Sequence, residues 1–181
     1  MGREKLSIEI GGLPLIERVN NALSASCHEV LVVGGGGSRL EGARYVANER
    51  PGKQGPLAGI EAGLAAANYP HVFVAAGDMP FLTRGLVGYL LDRLERGGVQ
   101  VVIPRHGGRI HPLCGAYDRA LLPRVTAALD AGARAVHAFL EGIDGVEYVA
   151  EELPRFGNPD LLLMNVNSPG DLKLARREAG R

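Results

Sequence analysis

The sequence predicts an α/β fold made of a single domain over residues 1–181, with a mostly parallel central sheet flanked by helices. Short apolar runs alternate along the chain with segments whose apolar residues recur at helical spacing. The central run, residues 72–76, is continuously apolar, as expected of a strand buried on both faces of a parallel sheet. With 181 residues and 46% hydrophobic content, the chain can bury one sizeable core.

The secondary structure of the first half of the chain is predicted from the spacing of its apolar residues. Apolar and polar residues alternate over residues 6–10, which indicates a short strand. Pro14 suits the first position of a helix whose apolar residues share one face. Residues 29–33 and 44–47 are predicted strands. The Ala-rich segment 57–68 has apolar residues at helical spacing, and it is predicted to be the helix that precedes the central strand.

The second half continues the alternation of strands and helices, which favours a parallel sheet. The predicted helices are residues 86–94, 121–129 and 135–140, with a final helix after the turn at 167–170. The predicted strands are residues 99–103, 146–149 and 161–166, and residues 105–112 are predicted to form a polar loop.

The composition excludes several classes of function. Lys plus Arg and Asp plus Glu number 20 each, so no basic excess indicates a nucleic-acid partner. The amino-terminal residues lack the apolar core of a signal peptide, and no apolar run approaches the roughly 20 residues of a membrane span. Cys27 and Cys114 match no metal or redox spacing. We therefore predict a soluble cytoplasmic protein with reduced thiols, without nucleic-acid or membrane partners.

A glycine run, Gly34-Gly-Gly-Gly-Ser-Arg39, follows the second predicted strand. Glycine-rich loops after a strand let backbone N–H groups approach a phosphate. This run departs from the dinucleotide-binding fingerprint because Arg39 stands at the third glycine position, and it lacks the Lys-Ser/Thr ending of a Walker loop. Its residues leave two interpretations open, a nucleotide contact or a flexible turn.

Asp78 follows the central predicted strand, and Pro80 prevents that strand from continuing. Open α/β folds bind ligands at the carboxyl edge of the sheet. A carboxylate there can hold a hard cation such as Mg²⁺, which would neutralise a polyphosphate. The residues equally allow Asp78 to cap the next turn, so both interpretations stay open at this point.

Four stretches of the chain resemble the molybdenum cofactor guanylyltransferase family, within the nucleotidyltransferases of Rossmann-like fold. Their order and spacing span nearly the whole chain. They are Gly55-Pro-Leu-Ala-Gly-Ile60, Asp78-Met-Pro-Phe81, Gly108-Arg-Ile-His-Pro-Leu113 with Gly115 and Tyr117, and Asn165-Val-Asn-Ser-Pro-Gly-Asp-Leu172.

The resemblance implies an activity: transfer of GMP from GTP to molybdopterin-bound molybdenum cofactor with Mg²⁺, giving the guanine dinucleotide cofactor and pyrophosphate. GTP and the molybdenum cofactor would be the small-molecule partners, with molybdoenzymes or their chaperones as protein partners. Two alternatives stay open. One is a cytidylyltransferase of the same fold, and the other is an inactive remnant that binds the cofactor or a partner.

The resemblance also implies roles for individual residues. Asp78 resembles the family's Mg²⁺-binding catalytic aspartate, and Lys5 resembles the lysine that reaches the nucleotide phosphates and takes part in catalysis. Asn48 and the loop formed by Gly55, Pro56, Leu57, Ala58 and Gly59 would line the nucleotide. His111, Asn165 and Asn167 would contact molybdopterin. Without the resemblance, Lys5 reads as a surface lysine and the two asparagines as caps of the final helix.

The sequence departs from the family at its start. The family opens with a strand and a Leu-Ala-Gly-Gly-x-Ser-x-Arg-Met-Gly loop, whereas this chain begins at Met1-Gly2, the last two residues of that signature. Lack of this strand is expected to leave neighbouring strand edges unpaired. We expect either a start upstream of Met1 or a truncated, inactive protein. Asn48 also replaces a usual aspartate, and Gly36 a frequent asparagine.

Overall fold

Strands and helices alternate as predicted in the computed structural model of the chain, which describes residues 3–34, 39–48, 50 and 55–180. Short 3₁₀ turns cover Arg3–Ser7, Arg119–Leu121 and Leu153–Arg155. The strands are β1 (Glu9–Ile10), β2 (Leu13–Pro14), β3 (Val30–Val33), β4 (Ala43–Val46), β5 (His71–Ala75), β6 (Val101–His106), β7 (Arg109–Ile110), β8 (Cys114–Asp118) and β9 (Val146–Val149). The helices are α1 (Leu15–Ser24), α2 (Gly55–Ala66), α3 (Arg84–Glu95), α4 (Leu122–Asp130), α5 (Val136–Glu141), α6 (Pro159–Leu162) and α7 (Pro169–Ala179).

The α/β class with flanking helices is confirmed, but the strand directions are more mixed than predicted. The largest sheet has five strands in the order β5-β8-β6-β7, with β9 also paired to β6. The β6–β9 pair is parallel, whereas β8 is antiparallel to both β5 and β6. A separate parallel pair joins β3 to β4, and β1 and β2 form a short antiparallel hairpin.

The antiparallel strand β8 arises from a hairpin that the sequence analysis read as a loop at 105–112. Gly107 and Gly108 have φ values of +56° and +74°, the conformation that a two-residue hairpin turn requires. The turn pairs Arg105 and His106 of β6 with β7, and the chain then returns as β8. The strand β8 was not predicted because its sequence, Cys-Gly-Ala-Tyr-Asp, is rich in small residues.

Two further predictions were wrong in part. Residues 161–166 do not form a strand. The Asn158 side chain accepts a hydrogen bond from the Asp160 amide, and Pro159 at the first helical position begins α6 instead. A short apolar run does not distinguish a buried helix from a strand. Similarly, residues 6–10 contain only the two-residue strand β1, preceded by the 3₁₀ turn.

The core lies on both faces of the five-stranded sheet. Phe73 and Ala75 of β5 pack in the cluster that contains the apolar face of α3. Val72 and Val74 alternate with them and pack in the cluster of α2, α4 and α5. Every residue of β5 is nevertheless half-buried rather than fully buried as predicted. The physical reason is that, among the described residues, β5 pairs only with β8, so its other edge has no neighbouring strand.

Among the described residues, no helix has both the length and the apolar character needed to cross a bilayer. Cys27 and Cys114 are free thiols. Cys114 is fully buried, and burial raises the pKa of its thiol to about 12. It therefore behaves as a small apolar residue of the core.

We predict that Gly115→Ala destabilises the sheet. A Cβ atom at Gly115 would overlap Cγ2 of Ile103 and lie 2.9 Å from the Val102 carbonyl oxygen, so β6 would have to move away from β8. Overpacking of this kind lowers the free energy of unfolding by about 1–3 kcal/mol, which urea denaturation would measure. The control is Gly88→Ala in α3, where an added Cβ meets nothing within 4 Å. This control should be neutral or raise stability by up to about 1 kcal/mol, and equal effects at both positions would contradict the β6–β8 packing.

Candidate functional site

The carboxylate of Asp78 receives hydrogen bonds from two distant parts of the chain. Lys5 Nζ lies 2.6 Å from Asp78 Oδ2, and Asn165 Nδ2 donates to Asp78 Oδ1 at 2.5 Å. Lys5 Nζ also donates to Asn167 Oδ1 at 2.8 Å. Four of the predicted site residues, Lys5, Asp78, Asn165 and Asn167, therefore form one cluster.

The Lys5–Asp78 ion pair is largely shielded from water. The Lys5 side chain is 12% exposed and the Asp78 side chain 16%. The surface-lysine interpretation is therefore wrong, because the ammonium group lies between two oxygen atoms at the carboxyl end of β5. An ion pair with this little exposure is screened less by salt than a surface pair.

The backbone holds Asp78 at the end of β5. The Ala76 amide donates to the Leu113 carbonyl at 2.8 Å, which extends the β5–β8 pairing by one residue. The Val166 amide then donates to the Asp78 carbonyl at 3.0 Å and brings the asparagine segment alongside. Because both contacts are made by the backbone, they position Asp78 independently of the side chain.

Gly77 was missed in the sequence analysis although the packing beneath the cluster depends on it. A Cβ atom here would lie 2.9 Å from Ile16 Cδ1 and 3.4 Å from Leu6 Cδ2. The absence of a side chain lets α1 and the amino-terminal turn approach the end of β5. That approach brings Lys5 to Asp78. The position of Gly77 directly before Asp78 was the sequence signal that could have indicated its role.

Arg18 of α1 holds the segment that follows Asp78. Its Nε donates to the Pro80 carbonyl at 2.9 Å, and its Nη1 donates to the Ile10 carbonyl at 3.0 Å. The guanidinium carbon also lies 5.9 Å from the centroid of the Phe81 ring. Arg18 therefore links the amino-terminal hairpin to the turn that carries Asp78.

The donor set of this cluster fits a magnesium ion. Asp78 and Asn167 present a carboxylate and an amide oxygen to one cation, the Lys5 ammonium. Mg²⁺ in nucleotide enzymes is bound by one or two carboxylates, with water and substrate phosphates completing its coordination. In the described part of the chain, no group of three or more His, Cys, Asp or Glu side chains could hold a metal alone. The residues present therefore suit a cation that arrives with a polyphosphate.

The five residues from Gly55 to Gly59 form the first turns of α2 rather than the predicted loop. Leu57 and Ala58 are fully buried, so their side chains pack the core. Gly55 has φ of +71°, and a Cβ atom there would lie 2.8 Å from the Arg134 carbonyl oxygen. Pro56 is exposed and Gly59 is half-buried, so these two present accessible surface.

Asn48 and His111 lie in other environments. The Asn48 amide oxygen accepts a hydrogen bond from the Arg50 amide at 3.3 Å. Burial lowers the pKa of His111, and the positive charge of neighbouring groups acts in the same direction. Across the described residues, none of the hydrogen bonds or ion pairs seen joins Asn48 or His111 to Lys5 or Asp78.

Arg50 is a second residue that the sequence analysis missed. It donates to both carboxylate oxygens of Glu61 in α2, at 2.5 and 2.6 Å, and to Asp130 in α4 at 2.8 Å. The Arg50 guanidinium lowers the pKa of Glu61, and the paired carboxylates raise the pKa of Arg50. Arg50 is thereby fixed to the outer helices α2 and α4.

Comparison with known proteins identifies the family. The model of the MobA-like NTP transferase domain matches residues 1–146. The chain belongs to this family. A "Probable molybdenum cofactor guanylyltransferase" of Pelotomaculum thermopropionicum is 36% identical over 180 residues, which cover 97% of this chain and 85% of that protein. The "Molybdenum cofactor guanylyltransferase" of Desulfosudis oleivorans is 28% identical over 99% of this chain and 90% of that protein.

A solved structure supports the same assignment. The crystal structure of molybdopterin-guanine dinucleotide biosynthesis protein A from Archaeoglobus fulgidus has a TM-score of 0.82 and 28% identity. The match covers 98% of this chain and 91% of that one. The resemblance predicted from four motifs is therefore confirmed, and the chain is a nucleotidyltransferase of the MobA-like class.

In this MobA-like NTP transferase, a capping box positions Asn167. Ser168 is the N-cap of α7 and its side chain accepts from the Asp171 amide. The Asp171 carboxylate accepts from the amides of Asn167 and Ser168 at 2.9 and 2.7 Å. The interpretation of the asparagines as caps is therefore wrong, because Ser168 has that role and the asparagine side chains contact Lys5 and Asp78.

We predict that Asp171→Ala destabilises the protein in a pH-dependent way. The backbone hydrogen bond from Asn167 and those from Ser168 lower the pKa of Asp171 below its ordinary value of 3.8. A lowered folded-state pKa gives stability that is present above the unfolded-state value and lost as pH falls through the folded-state value. Urea denaturation should show the variant to be less stable at neutral pH, with the difference shrinking below about pH 4.

The matched control for this prediction is Glu151→Ala, which removes an exposed carboxylate from a turn. It should change stability little at any pH. A difference between Asp171→Ala and the parent protein that persists unchanged in acid would contradict the capping role of the charged carboxylate.

Proposed function

We propose that this chain transfers the GMP group of GTP to the phosphate of molybdopterin-bound molybdenum cofactor and releases pyrophosphate. The observation that carries the proposal is the bridging of Asp78 Oδ2 and Asn167 Oδ1 by the Lys5 ammonium, at 2.6 and 2.8 Å. One cation and two oxygen donors at the end of a strand suit a magnesium-bound triphosphate. The names of the related proteins support the choice of guanine nucleotide and acceptor.

The reaction is an in-line displacement at the α-phosphorus of GTP. A phosphate oxygen of molybdopterin forms the new P–O bond while the bond to the pyrophosphate oxygen breaks, and the leaving pyrophosphate carries the electron pair. Transfer of this kind depends on positioning and charge neutralisation rather than covalent catalysis. Lys5, once released from Asp78, stabilises the charge on the leaving group.

Asp78 and Asn167 are the residues that would hold Mg²⁺, which when bound neutralises charge across the phosphates. Asn165 keeps the Asp78 carboxylate oriented through its 2.5 Å hydrogen bond. Asn48, the start of α2 and His111 are part of the proposal as nucleotide and molybdopterin contacts. The proposal also places the enzyme in the cytoplasm. There it would pass its product to molybdoenzymes or their chaperones.

We predict that Asp78→Asn lowers transfer of labelled GMP from GTP to molybdopterin by at least about 100-fold, because a neutral amide neither pairs with Lys5 nor neutralises Mg²⁺. The parent protein should use GTP at least about tenfold better than CTP. The matched control is Asp144→Asn, which alters an exposed aspartate. Preference for CTP would indicate a cytidylyltransferase, and binding of Mg²⁺–GTP without transfer would indicate an inactive remnant.

We predict that Lys5→Met strengthens the binding of Mn²⁺, a spectroscopic substitute for Mg²⁺, to the protein without nucleotide. The Lys5 ammonium competes for the two oxygen donors in the free protein. Removal of a competing ion pair worth roughly 1 kcal/mol should raise Mn²⁺ affinity about threefold to tenfold in a titration followed by electron paramagnetic resonance. Transfer should fall in the same variant, since the leaving group loses its cation.

The control for the Lys5 variant is Lys173→Met, the same substitution at an exposed lysine of α7. It should leave both Mn²⁺ affinity and transfer unchanged. If Lys5→Met weakens Mn²⁺ binding, Lys5 supports the metal site rather than competing for it, and the proposed exchange of cations is wrong.

A further inference from the structure

Two backbone segments carry the two partners of the Lys5–Asp78 ion pair, and the first runs from Lys5 to the start of α1. The Ile8 amide donates to the Lys5 carbonyl at 3.2 Å, and the Leu15 amide donates to the Ile8 carbonyl at 3.0 Å. The second of these bonds closes the β1–β2 hairpin. We call residues 5–15 the amino-terminal unit, because these bonds hold its backbone together.

The second segment, residues 78–82, is the turn after β5, and we call it the Asp78 turn. The Leu82 amide donates to the Met79 carbonyl at 3.3 Å, and the side chains of both residues are buried in the cluster that contains the apolar face of α3. Ile10 and Leu15 of the amino-terminal unit are buried in a different cluster. The relative position of the two segments therefore depends on the contacts between them.

Arg18 bridges the two segments through its guanidinium group. Nε donates to the Pro80 carbonyl of the Asp78 turn, and Nη1 donates to the Ile10 carbonyl of the amino-terminal unit, at 2.9 and 3.0 Å. Because a guanidinium is planar and its donors keep fixed relative positions, these two bonds set the separation of the two carbonyls. Both bonds are charge-assisted, which makes them stronger than bonds between neutral groups.

The bridge is not drawn away by a competing ion pair. Within the described ranges of the chain, none of the ion pairs joins Arg18 to a carboxylate. The guanidinium is half-buried, and the Phe81 ring of the Asp78 turn lies 5.9 Å from its carbon atom. Arg18 thus contacts the Asp78 turn through a backbone carbonyl and through an aromatic ring.

The Lys5 ammonium depends on a fixed backbone to reach its two acceptors. A lysine side chain is a flexible four-carbon stem, and holding its end in one place reduces its conformational entropy. Its Nζ nevertheless lies 2.6 Å from Asp78 Oδ2 and 2.8 Å from Asn167 Oδ1. Arg18 and Lys5 join the same two segments at different points. Loss of the Arg18 bridge is therefore expected to loosen the Lys5 contacts.

We propose that Arg18 is a positioning residue that holds the amino-terminal unit against the Asp78 turn and so sets the place from which Lys5 acts. Its effect on catalysis rests on the proposed function, whereas its effect on the position of Lys5 can be measured without nucleotide or metal. Lysine should not replace it, because an ammonium presents all its donors from one atom rather than along a planar fork.

The first experiment measures how fast the Lys5 amine reacts. Pulse acetylation with acetic anhydride, read by mass spectrometry, gives the rate at Lys5 relative to Lys173, an exposed lysine of α7. Arg18→Met should raise this ratio about threefold to tenfold, because the ammonium leaves its ion pair more often. Arg18→Lys should raise it by at least about half as much, and it serves if Arg18→Met does not fold.

The matched control is Arg119→Met, the same substitution at the opposite end of β5. The Arg119 side chain also donates from Nε to a backbone carbonyl, that of Leu64, at 3.2 Å. This variant should leave the ratio of Lys5 to Lys173 acetylation unchanged, while urea denaturation reports any general loss of stability. Equal acceleration in both arginine variants, or no acceleration in Arg18→Met, would overturn the proposal.

The second experiment measures transfer of GMP from GTP. Arg18→Met should lower kcat about tenfold or more and leave KM for Mg²⁺–GTP within about twofold, because Lys5 acts on charge that forms only in the transition state. In a Lys5→Met background, Arg18→Met should lower kcat less than about twofold further. A merely structural role predicts independent effects, so multiplication of the two losses would contradict the positioning role.

The two experiments separate failure of this inference from failure of the proposed function. If the parent protein transfers no GMP but Arg18→Met still accelerates acetylation of Lys5, the proposed function is wrong and the bridge is supported. If Arg18→Met loses transfer with unchanged acetylation of Lys5, the function stands and the positioning role is wrong. Full restoration of both measurements by Arg18→Lys would show that positive charge alone is required, which would also overturn the proposal.

Discussion

The hydrogen bonds and ion pair at Asp78 hold together three segments that are far apart in sequence. Its carboxylate accepts from Lys5 and Asn165, and its backbone carbonyl accepts from Val166. Each contact joins the end of β5 to a segment that is distant from it in sequence. Asp78 therefore contacts the amino-terminal turn and the segment before α7 at once, beside the links that Gly77 and Arg18 provide. A carboxylate that serves both these contacts and the proposed chemistry would leave little freedom for substitution.

The strand that precedes Asp78, β5, has a neighbouring strand on one side only among the described residues. The side chains of β5 pack on α3 from one face and on α2 from the other, whereas its backbone pairs only with β8 in the part of the chain that the structure describes. The continuous apolar sequence of β5 is suited to a central position in a sheet, whereas its burial is that of an edge strand. Most of the hydrophobic stabilisation of this strand thus comes from its faces rather than from its edges.

The sequence predicted the convergence of four residues more reliably than it predicted their local structure. Asp78, Lys5 and the two asparagines could be predicted from motifs, and they do converge. The local structure of residues 161–166 and the strand β8 could not be predicted. A short apolar run fits both helical and strand periodicity, and a strand of small residues has a weak β-propensity. Arg50 was missed for another reason: its role depends on contacts with α2 and α4, which no local pattern encodes. For Gly77, which contacts α1, the only local signal was its position directly before Asp78.

The candidate site and the packing at Gly77 meet at the same point of the fold. Gly34 and Gly77 lie at the carboxyl ends of β3 and β5, and Leu6 packs against the second of these glycines. Because Leu6 directly follows Lys5, the approach of the amino-terminal turn to Gly77 sets the position from which Lys5 reaches Asp78 and Asn167. The exchange of the Lys5 ammonium for a metal-bound polyphosphate that we propose would therefore depend on how closely this turn packs on Gly77.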